Sequence, residues 1–288
     1  MQLDLFTHSR DVMLQNDVIT ALRERNTVSG WTALAVLKAE FPQQEILAPL
    51  KILLHALATP MERLADHDSV ASRLATLDTV VTPAANRVFG HKVAGAWLSP
   101  LWLSLAHAAA GLPFIPDQAK THSAFMLLQG SDWAAAETAV ARIPSWRRIP
   151  VPLGWMAEAR CYRDGLESAW CLLLELAWID AVTFSALAQR LHVPSLHKLL
   201  HDFDAAFEDS EAPNRAWFPA WLLITAPAMA RVVRETQPCN GKAPERGARL
   251  ILELLDLEKQ GRHADLVAQR KKLRDLHAEL YALYMASR

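Results

Sequence analysis

Apolar residues recur every three or four positions along most of the chain, which is the spacing of one face of an α-helix. Three early segments show this spacing clearly: Val12–Leu22, Trp31–Phe41 and Ile46–Leu57. The second segment is followed by Pro42 and the third by Pro60, where a helix would lose a backbone donor. No run of alternating β-branched residues is long enough to predict a strand.

Ser9 is a candidate N-cap for the first of these helices. The same periodicity predicts further helices through the rest of the chain. They cover about 61–79, 83–110, 117–129, 132–143, 152–164, 167–179, 182–191, 195–208, 216–236, 245–260 and 263–286. The pattern predicts one all-α domain over residues 1–288 without a sheet. It allows a division into 1–112 and 113–288, and the last two helices would form a closing hairpin over 245–286.

Composition supports the helical prediction. The 288 residues include 47 alanines and 44 leucines but 10 glycines, and alanine and leucine are the strongest helix formers. Hydrophobic residues make up 51% of the chain, which excludes a disordered protein. The chain has 30 basic and 31 acidic residues, so its net charge is close to zero and no overall electrostatic field would attract nucleic acid or an anionic membrane.

Two segments repeat a turn glycine followed by an alanine-containing helix: Gln129–Ala136 and Asp164–Trp170, with a weaker copy at Asn26–Pro42. The pattern resembles the second half of a tetratricopeptide repeat, in which small residues let antiparallel helices approach closely. The resemblance is clearest over about residues 120–182. It implies an array of antiparallel helical hairpins, an α-solenoid, with a binding role. It implies no catalytic residue.

The string His201-Asp202 resembles the metal-binding pair of the all-α HD phosphohydrolases, and His197 lies one helical turn before it. Two histidines at this spacing share a helix face and could both reach one metal ion. A complete site needs a further histidine and a further aspartate, which the spacing does not supply. We therefore expect a solvated helix face without a metal, and keep a metal-dependent hydrolase as the alternative. No cofactor-binding motif occurs.

The stretch Val93–Pro116 contains no charged residue and has the length of a membrane span. Pro100 and several polar residues interrupt it, so we expect a buried core helix and no membrane attachment. The cysteines, Cys161, Cys171 and Cys239, are odd in number and have no metal-ligand spacing. We expect free thiols in a cytoplasmic protein.

The last helix carries a basic cluster, Arg270–Arg274, next to acidic residues and without aromatic residues, which favours a charged outer face over a nucleic-acid site. The acidic run Asp202–Glu211 is expected to be a solvated helix end. The same helix also contains leucines at heptad-like spacing: Leu266, Leu273, Leu276, Leu280 and Leu283. This seam allows a homodimer, although the preceding helix is a nearer partner.

Trp146, Arg147 and Arg148 lie in a segment bounded by Pro144 and Pro152, which cannot extend either neighbouring helix. Adjacent arginines are rarely buried, and tryptophan and arginine are favoured at binding hot spots. These three residues are therefore predicted to form a partner-binding rim. Taken together, the sequence predicts a non-enzymatic protein-interaction module that binds another protein or peptide, without catalytic residues or a cofactor.

Overall fold

The computed structural model describes residues 2–207 and 214–288, with side chains from residue 10 onward. In these two ranges it contains 17 α-helices, several short 3₁₀-helices and one π-helical turn, and no strand. The predicted all-α fold is therefore confirmed. The chain falls into two compact units, Met1–Asp132 (unit 1) and Trp133–Arg288 (unit 2).

Unit 1 contains seven of these helices: α1 (Gln2–Arg23), α2 (Thr27–Glu40), α3 (Leu47–Ala58), α4 (His67–Thr76), α5 (Thr82–Phe89), α6 (His91–Ala108) and α7 (Ser123–Gln129). A π-helical turn, Leu77–Val81, joins α4 to α5, and a 3₁₀-helix, Pro116–Thr121, precedes α7. Along the chain α1 packs on α2, α2 on α3, α3 on α5, α5 on α6 and α6 on α7. Since α1 begins at Gln2, Ser9 lies inside the helix and the prediction of an N-cap there is wrong.

The chain is helical without interruption over 67–89, whereas the sequence predicts a break near residue 80. Pro83 lacks an N–H, and its ring crowds the carbonyl one turn earlier. The π-helical turn Leu77–Val81 widens the helix just before Pro83, so the chain passes the proline without leaving the helix. The break lies instead at Gly90, whose φ of 74° suits glycine. The predicted helix 83–110 is thus two helices, α5 and α6.

Helix α6 supplies much of the core of unit 1. Trp97, Trp102 and Leu105 are buried, and the Trp97 indole donates to the carbonyl oxygen of Leu22 at 2.9 Å, which ties α6 to the end of α1. The prediction that Val93–Pro116 contains a buried core helix is confirmed for the part that forms α6. In the described residues no single helix has the length and apolarity of a membrane span; one pair, Arg215–Thr225 with Pro227–Glu235, passes that test jointly but bends by 110°.

Unit 2 contains the other ten α-helices of the described ranges: α8 (Trp133–Ala141), α9 (Pro150–Asp164), α10 (Leu166–Ile179), α11 (Ala181–Arg190), α12 (Pro194–Ala206), α13 (Phe218–Thr225), α14 (Ala230–Glu235), α15 (Ala243–Lys259), α16 (His263–Leu276) and α17 (Ala278–Ala286). Three 3₁₀-helices, Trp146–Arg148, Arg215–Trp217 and Pro227–Met229, lie between them.

The two longest predicted helices of unit 2 are broken in the structure. The predicted helix 216–236 divides at Ala226, because Pro227 follows and cannot continue the hydrogen-bonding of α13. The predicted helix 263–286 divides at His277, whose backbone is extended and whose ring caps α17 by accepting from the N–H of Leu280. The closing element 245–286 is therefore three helices, in which α16 packs on α15 and on α17.

Helix α10 lies at the centre of unit 2 and packs on α9, α11, α13 and α14. Every residue from Leu172 to Trp178 is buried, so this helix has no solvent face in its second half. Glu175 is the charged residue within that buried stretch.

The two turn glycines of the repeat pattern have different roles. Gly165 has a φ of 87° and separates α9 from α10, as a turn glycine should. In the other copy Ser131 takes the left-handed conformation, with a φ of 61°. Gly130 is required there for space, since a Cβ atom would lie 2.5 Å from Cδ2 of Leu103. That copy, Gln129–Ala136, also contains the boundary between the two units.

Candidate functional site

An apolar cavity of about 260 Å³ opens on unit 1 between α3, α6 and the helical run 67–89. Ile52 and Ala56 of α3 form one wall, and Leu101 and Leu105 of α6 form another. The third wall is the helical run, which contributes residues on both sides of the start of the π-helical turn. The cavity lies wholly within unit 1.

The wall from the helical run is a continuous stripe of Arg73, Thr76, Leu77, Val80 and Val81. These positions follow one another at intervals of three and one, so they share one helix face. Leu77 and Val81 are buried, whereas the Val80 side chain is 43% exposed and carries the apolar surface out to the rim. The stripe therefore runs from an apolar end at Val80 to a cationic end at Arg73.

The polar groups of the rim differ in their freedom to meet a ligand. The hydroxyl of Thr59 donates to the carbonyl oxygen of His55 at 2.8 Å, and that of Thr76 donates to Ser72 at 3.0 Å. The His55 ring meets the Trp31 ring edge-on, with centroids 4.7 Å apart. The guanidinium of Arg73 is exposed and makes no ion pair or side-chain hydrogen bond within the part of the chain that the structure describes. It is the charged donor available at this rim.

The lining of this cavity is mainly apolar. Among its described lining residues there is no aspartate or glutamate, so His55 has no carboxylate beside it in the lining. Among the described side chains, those of residues 10–207 and 214–288, no group of three or more His, Cys, Asp or Glu could hold a metal ion. An apolar group would be transferred from water into the cavity, with a stabilisation of about 25 cal/mol per Å² of apolar surface buried.

The residues of the sequence-based metal hypothesis lie on α12 in unit 2. The Nε2 atom of His197 donates to a backbone carbonyl oxygen at 3.0 Å, which occupies that nitrogen. His201 lies one turn further on, beside a shallow pocket that also contains Asp204. The carboxylate of Asp204 pairs with Arg215 at 2.6 Å, and Asp202 is exposed. Of the three predicted ligands, His197 therefore already has a hydrogen-bond partner at Nε2. The acidic run beyond residue 207 lies outside the described residues until Asn214.

The structure separates the three residues of the predicted rim. Trp146 is half-buried in a 3₁₀-helix. Arg147 turns inward and donates through Nε and Nη2 to both carboxylate oxygens of Glu175, at 2.7 and 2.6 Å. Arg148 is exposed and donates to the backbone carbonyl oxygen of Pro238. Partner binding by these three residues stays a prediction, but Arg147 already has its counter-ion inside unit 2.

Two buried carboxylates hold the segment 236–242 next to this ion pair. Glu175, whose side chain is 1% exposed, also accepts from the N–H of Gln237 at 2.7 Å. Glu245 accepts from three consecutive N–H groups, those of residues 239, 240 and 241, at 2.8–3.0 Å. Burial alone would raise the pKa of Glu245, but these donors and the nearby Arg249 outweigh burial and lower it. The cluster braces a loop, and each of the four carboxylate oxygens accepts at least one hydrogen bond.

The apolar cavity is a feature that the sequence does not predict, because its walls come from three segments far apart in the chain. One signal was present: residues 73–81 carry an apolar stripe that ends in an arginine. Comparison with models of known protein families, with curated proteins and with solved structures finds no significant match.

Proposed function

We propose that this protein is a non-enzymatic protein-interaction module, built as a degenerate tetratricopeptide-repeat-like array of helical hairpins. The observation that carries the proposal is the solvent-open apolar cavity of unit 1. A few large side chains in well-packed, desolvated pockets provide most of the binding energy at protein interfaces. A cavity of this kind is suited to receive such a side chain from a partner.

The size of the cavity supports this choice. An apolar cavity of about 150 Å³ accommodates a benzene ring, so 260 Å³ accommodates one large side chain and part of a second. Drug-sized ligands and cofactors usually occupy pockets of about 300–1,000 Å³. Val80 lines the cavity and remains 43% exposed at its rim. A flat partner surface would cover that apolar surface, whereas a small ligand inside the cavity would leave it in water. The hydrolase alternative at His201 and Asp202 has no comparable support among the described contacts.

A cytoplasmic location is part of the proposal. Cys161 is buried, Cys171 and Cys239 are half-buried, and all three are free. Burial raises the pKa of each thiol, that of Cys239 to about 12. Protonated, shielded thiols are suited to a reducing compartment, where no disulfide framework is needed.

The test fills the cavity without disturbing the core. Thr76 is exposed at the rim, and its hydroxyl bonds only to its own helix, so Thr76→Phe should place a ring in the cavity at little cost to folding. Thr32 on α2 is matched to it: it is exposed and bonds to its own helix, but it does not line the cavity.

Wild-type protein, Thr76→Phe and Thr32→Phe would each be used to capture partners from the same lysate. A partner bound by wild type and by Thr32→Phe, and lost with Thr76→Phe, is the expected result. If all three proteins retain the same set, or none retains any partner, the cavity is not the interaction site and the proposal fails.

A further inference from the structure

We propose that the cavity recognises an acidic amphipathic segment of a partner protein, which inserts a large apolar side chain and pairs a carboxylate with Arg73. This inference rests on the proposed function and adds the chemistry of the partner. It goes beyond apolar docking because it assigns the sign of the partner's charge and the position of that charge relative to the apolar side chain that enters the cavity.

The charge at the rim of the cavity favours an acidic partner. Among the described lining residues Arg73 is the one with a permanent charge, and none of them is acidic and able to neutralise it. Its guanidinium is without an intramolecular partner across the described ranges, in contrast to Arg147, which is satisfied by Glu175. A guanidinium presents donors in a rigid fork that matches a carboxylate bidentately. When a partner covers the apolar rim and excludes water, this pairing strengthens because the local dielectric falls.

The geometry of the stripe sets the distance between the carboxylate of a partner and its apolar side chain. Arg73 lies one turn before Thr76 and Leu77, and two turns before Val80 and Val81, on the same helix face. One turn advances 5.4 Å along a helix axis. A partner helix lying along this stripe would therefore place its carboxylate about one turn, three or four residues, from the side chain that enters the cavity. Thr76 does not compete for the carboxylate, since its hydroxyl donates to its own helix.

A free amphipathic carboxylate, such as a medium-chain fatty acid, has the same combination of charge and apolar chain as a protein segment. Val80 lines the cavity but remains 43% exposed at its rim, so a ligand confined to the cavity would leave part of Val80 in water. A protein segment laid along the stripe would cover it. We therefore assign the cavity to a protein segment and leave the fatty acid as an outcome of the test.

The experiment selects binders from a library of random 12-residue peptides displayed on phage, using the full-length chain. Parallel selections use wild type, Arg73→Gln, Arg73→Glu and the cavity-filled Thr76→Phe. Arg23→Gln serves as the matched control, since Arg23 is exposed on unit 1 and does not line the cavity. Selected peptides are then synthesised with Glu or with Gln at the acidic position, and binding is measured by fluorescence anisotropy. Decanoate is tested as a competitor.

The expected result is a set of peptides that bind wild type and Arg23→Gln but not Thr76→Phe, with Asp or Glu three or four residues from a large apolar residue. Replacing that acid by Gln should weaken binding about 5- to 50-fold, and Arg73→Gln should remove the difference. Arg73→Glu should select Lys or Arg at the same position.

Other outcomes separate the two proposals. If cavity-dependent peptides are selected without acidic preference, or if Arg73→Gln leaves the Glu-to-Gln difference unchanged, the charge assignment is wrong and the protein-interaction function survives. If no selected peptide depends on the cavity, both proposals fail. If decanoate binds wild type, is lost with Thr76→Phe, and no peptide competes with it, the ligand is a free carboxylate and the assignment to a protein segment is overturned.

Discussion

The ion pair of Arg147 with Glu175 gives the sharpest prediction for unit 2. Arg147→Met keeps an unbranched apolar stem but removes the charge that faces Glu175. The Glu175 side chain is 1% exposed, so its carboxylate would stay buried with one remaining donor, the N–H of Gln237. Breaking a buried pair by removing one partner costs about 3–5 kcal/mol.

Arg147 is itself 27% exposed, so water can partly replace its guanidinium, and we expect the lower end of that range, about 3 kcal/mol. A loss of 1 kcal/mol lowers the Tm of a unit of this size by about 2–4 °C, so Arg147→Met should lower it by about 6–12 °C. Urea unfolding and thermal melting followed by circular dichroism would measure both quantities.

The neighbouring arginine is a matched control. Arg148 lies in the same 3₁₀-helix but is exposed and donates to one backbone carbonyl oxygen. Arg148→Met should therefore cost no more than about 0.5–1 kcal/mol. A second test combines Arg147→Met with Glu175→Gln, which removes the buried charge. The double variant should recover at least about 2 kcal/mol relative to the sum of the single variants. Equal costs for the two arginines, or additive costs in the cycle, would show that the pair does not stabilise unit 2.

Three further predictions concern other sites. Burial, and secondarily the neighbouring His67, lowers the pKa of His122 to about 4. Between pH 6.5 and 4 the unfolded chain therefore binds a proton that the folded chain does not, and stability should fall by about 2 kcal/mol as the pH drops through this window. His122 caps α7 by accepting at Nδ1 from the N–H of Ala124 at 3.2 Å. His122→Asn, which keeps a capping acceptor, should flatten that part of a pH series of urea titrations. Glu245→Gln should cost about 2 kcal/mol and accelerate amide hydrogen exchange at residues 239–241; unchanged exchange there would contradict the bracing role. Gly130→Ala should cost about 1–3 kcal/mol because its Cβ would overlap a leucine side chain, whereas Gly95→Ala, which meets nothing within 4 Å, should gain up to about 1 kcal/mol in the same melting assay.

The fold class follows from the sequence because helix propensity and periodicity are local properties. The predicted helices of unit 2 between residues 150 and 206 agree with α9–α12 to within about two residues, since prolines and a turn glycine mark their ends. The rule that proline and glycine mark helix ends fails at two places. At Pro83 a π-helical turn lets the helix continue past the proline, and at His277 a helix ends without a proline or glycine. Both exceptions depend on neighbouring helices that a local pattern does not contain.

The cavity and the use of the arginines belong to tertiary structure, which explains why the sequence predicts neither. Arg147 and Arg148 are adjacent and chemically identical, yet one is paired with a buried carboxylate on another helix and the other is exposed. Their difference is set by the buried position of Glu175 in α10. The burial of each tryptophan is likewise set by tertiary structure: six of the ten are buried, and the remaining four are half-buried.

These contrasts explain why unit 1 provides the candidate site. In unit 2 the buried carboxylates of Glu175 and Glu245 already accept hydrogen bonds from a loop, and Arg147 already pairs with Glu175. Each of these groups contributes stability only while its internal partner is present, so an external ligand would have to break a satisfied contact to bind. Arg73 has no such contact to lose, and the apolar surface beside it is already shaped as a cavity. A ligand that brings a carboxylate and an apolar side chain there gains both interactions without displacing any internal one, and that asymmetry favours the rim of unit 1 over the predicted rim at residues 146–148.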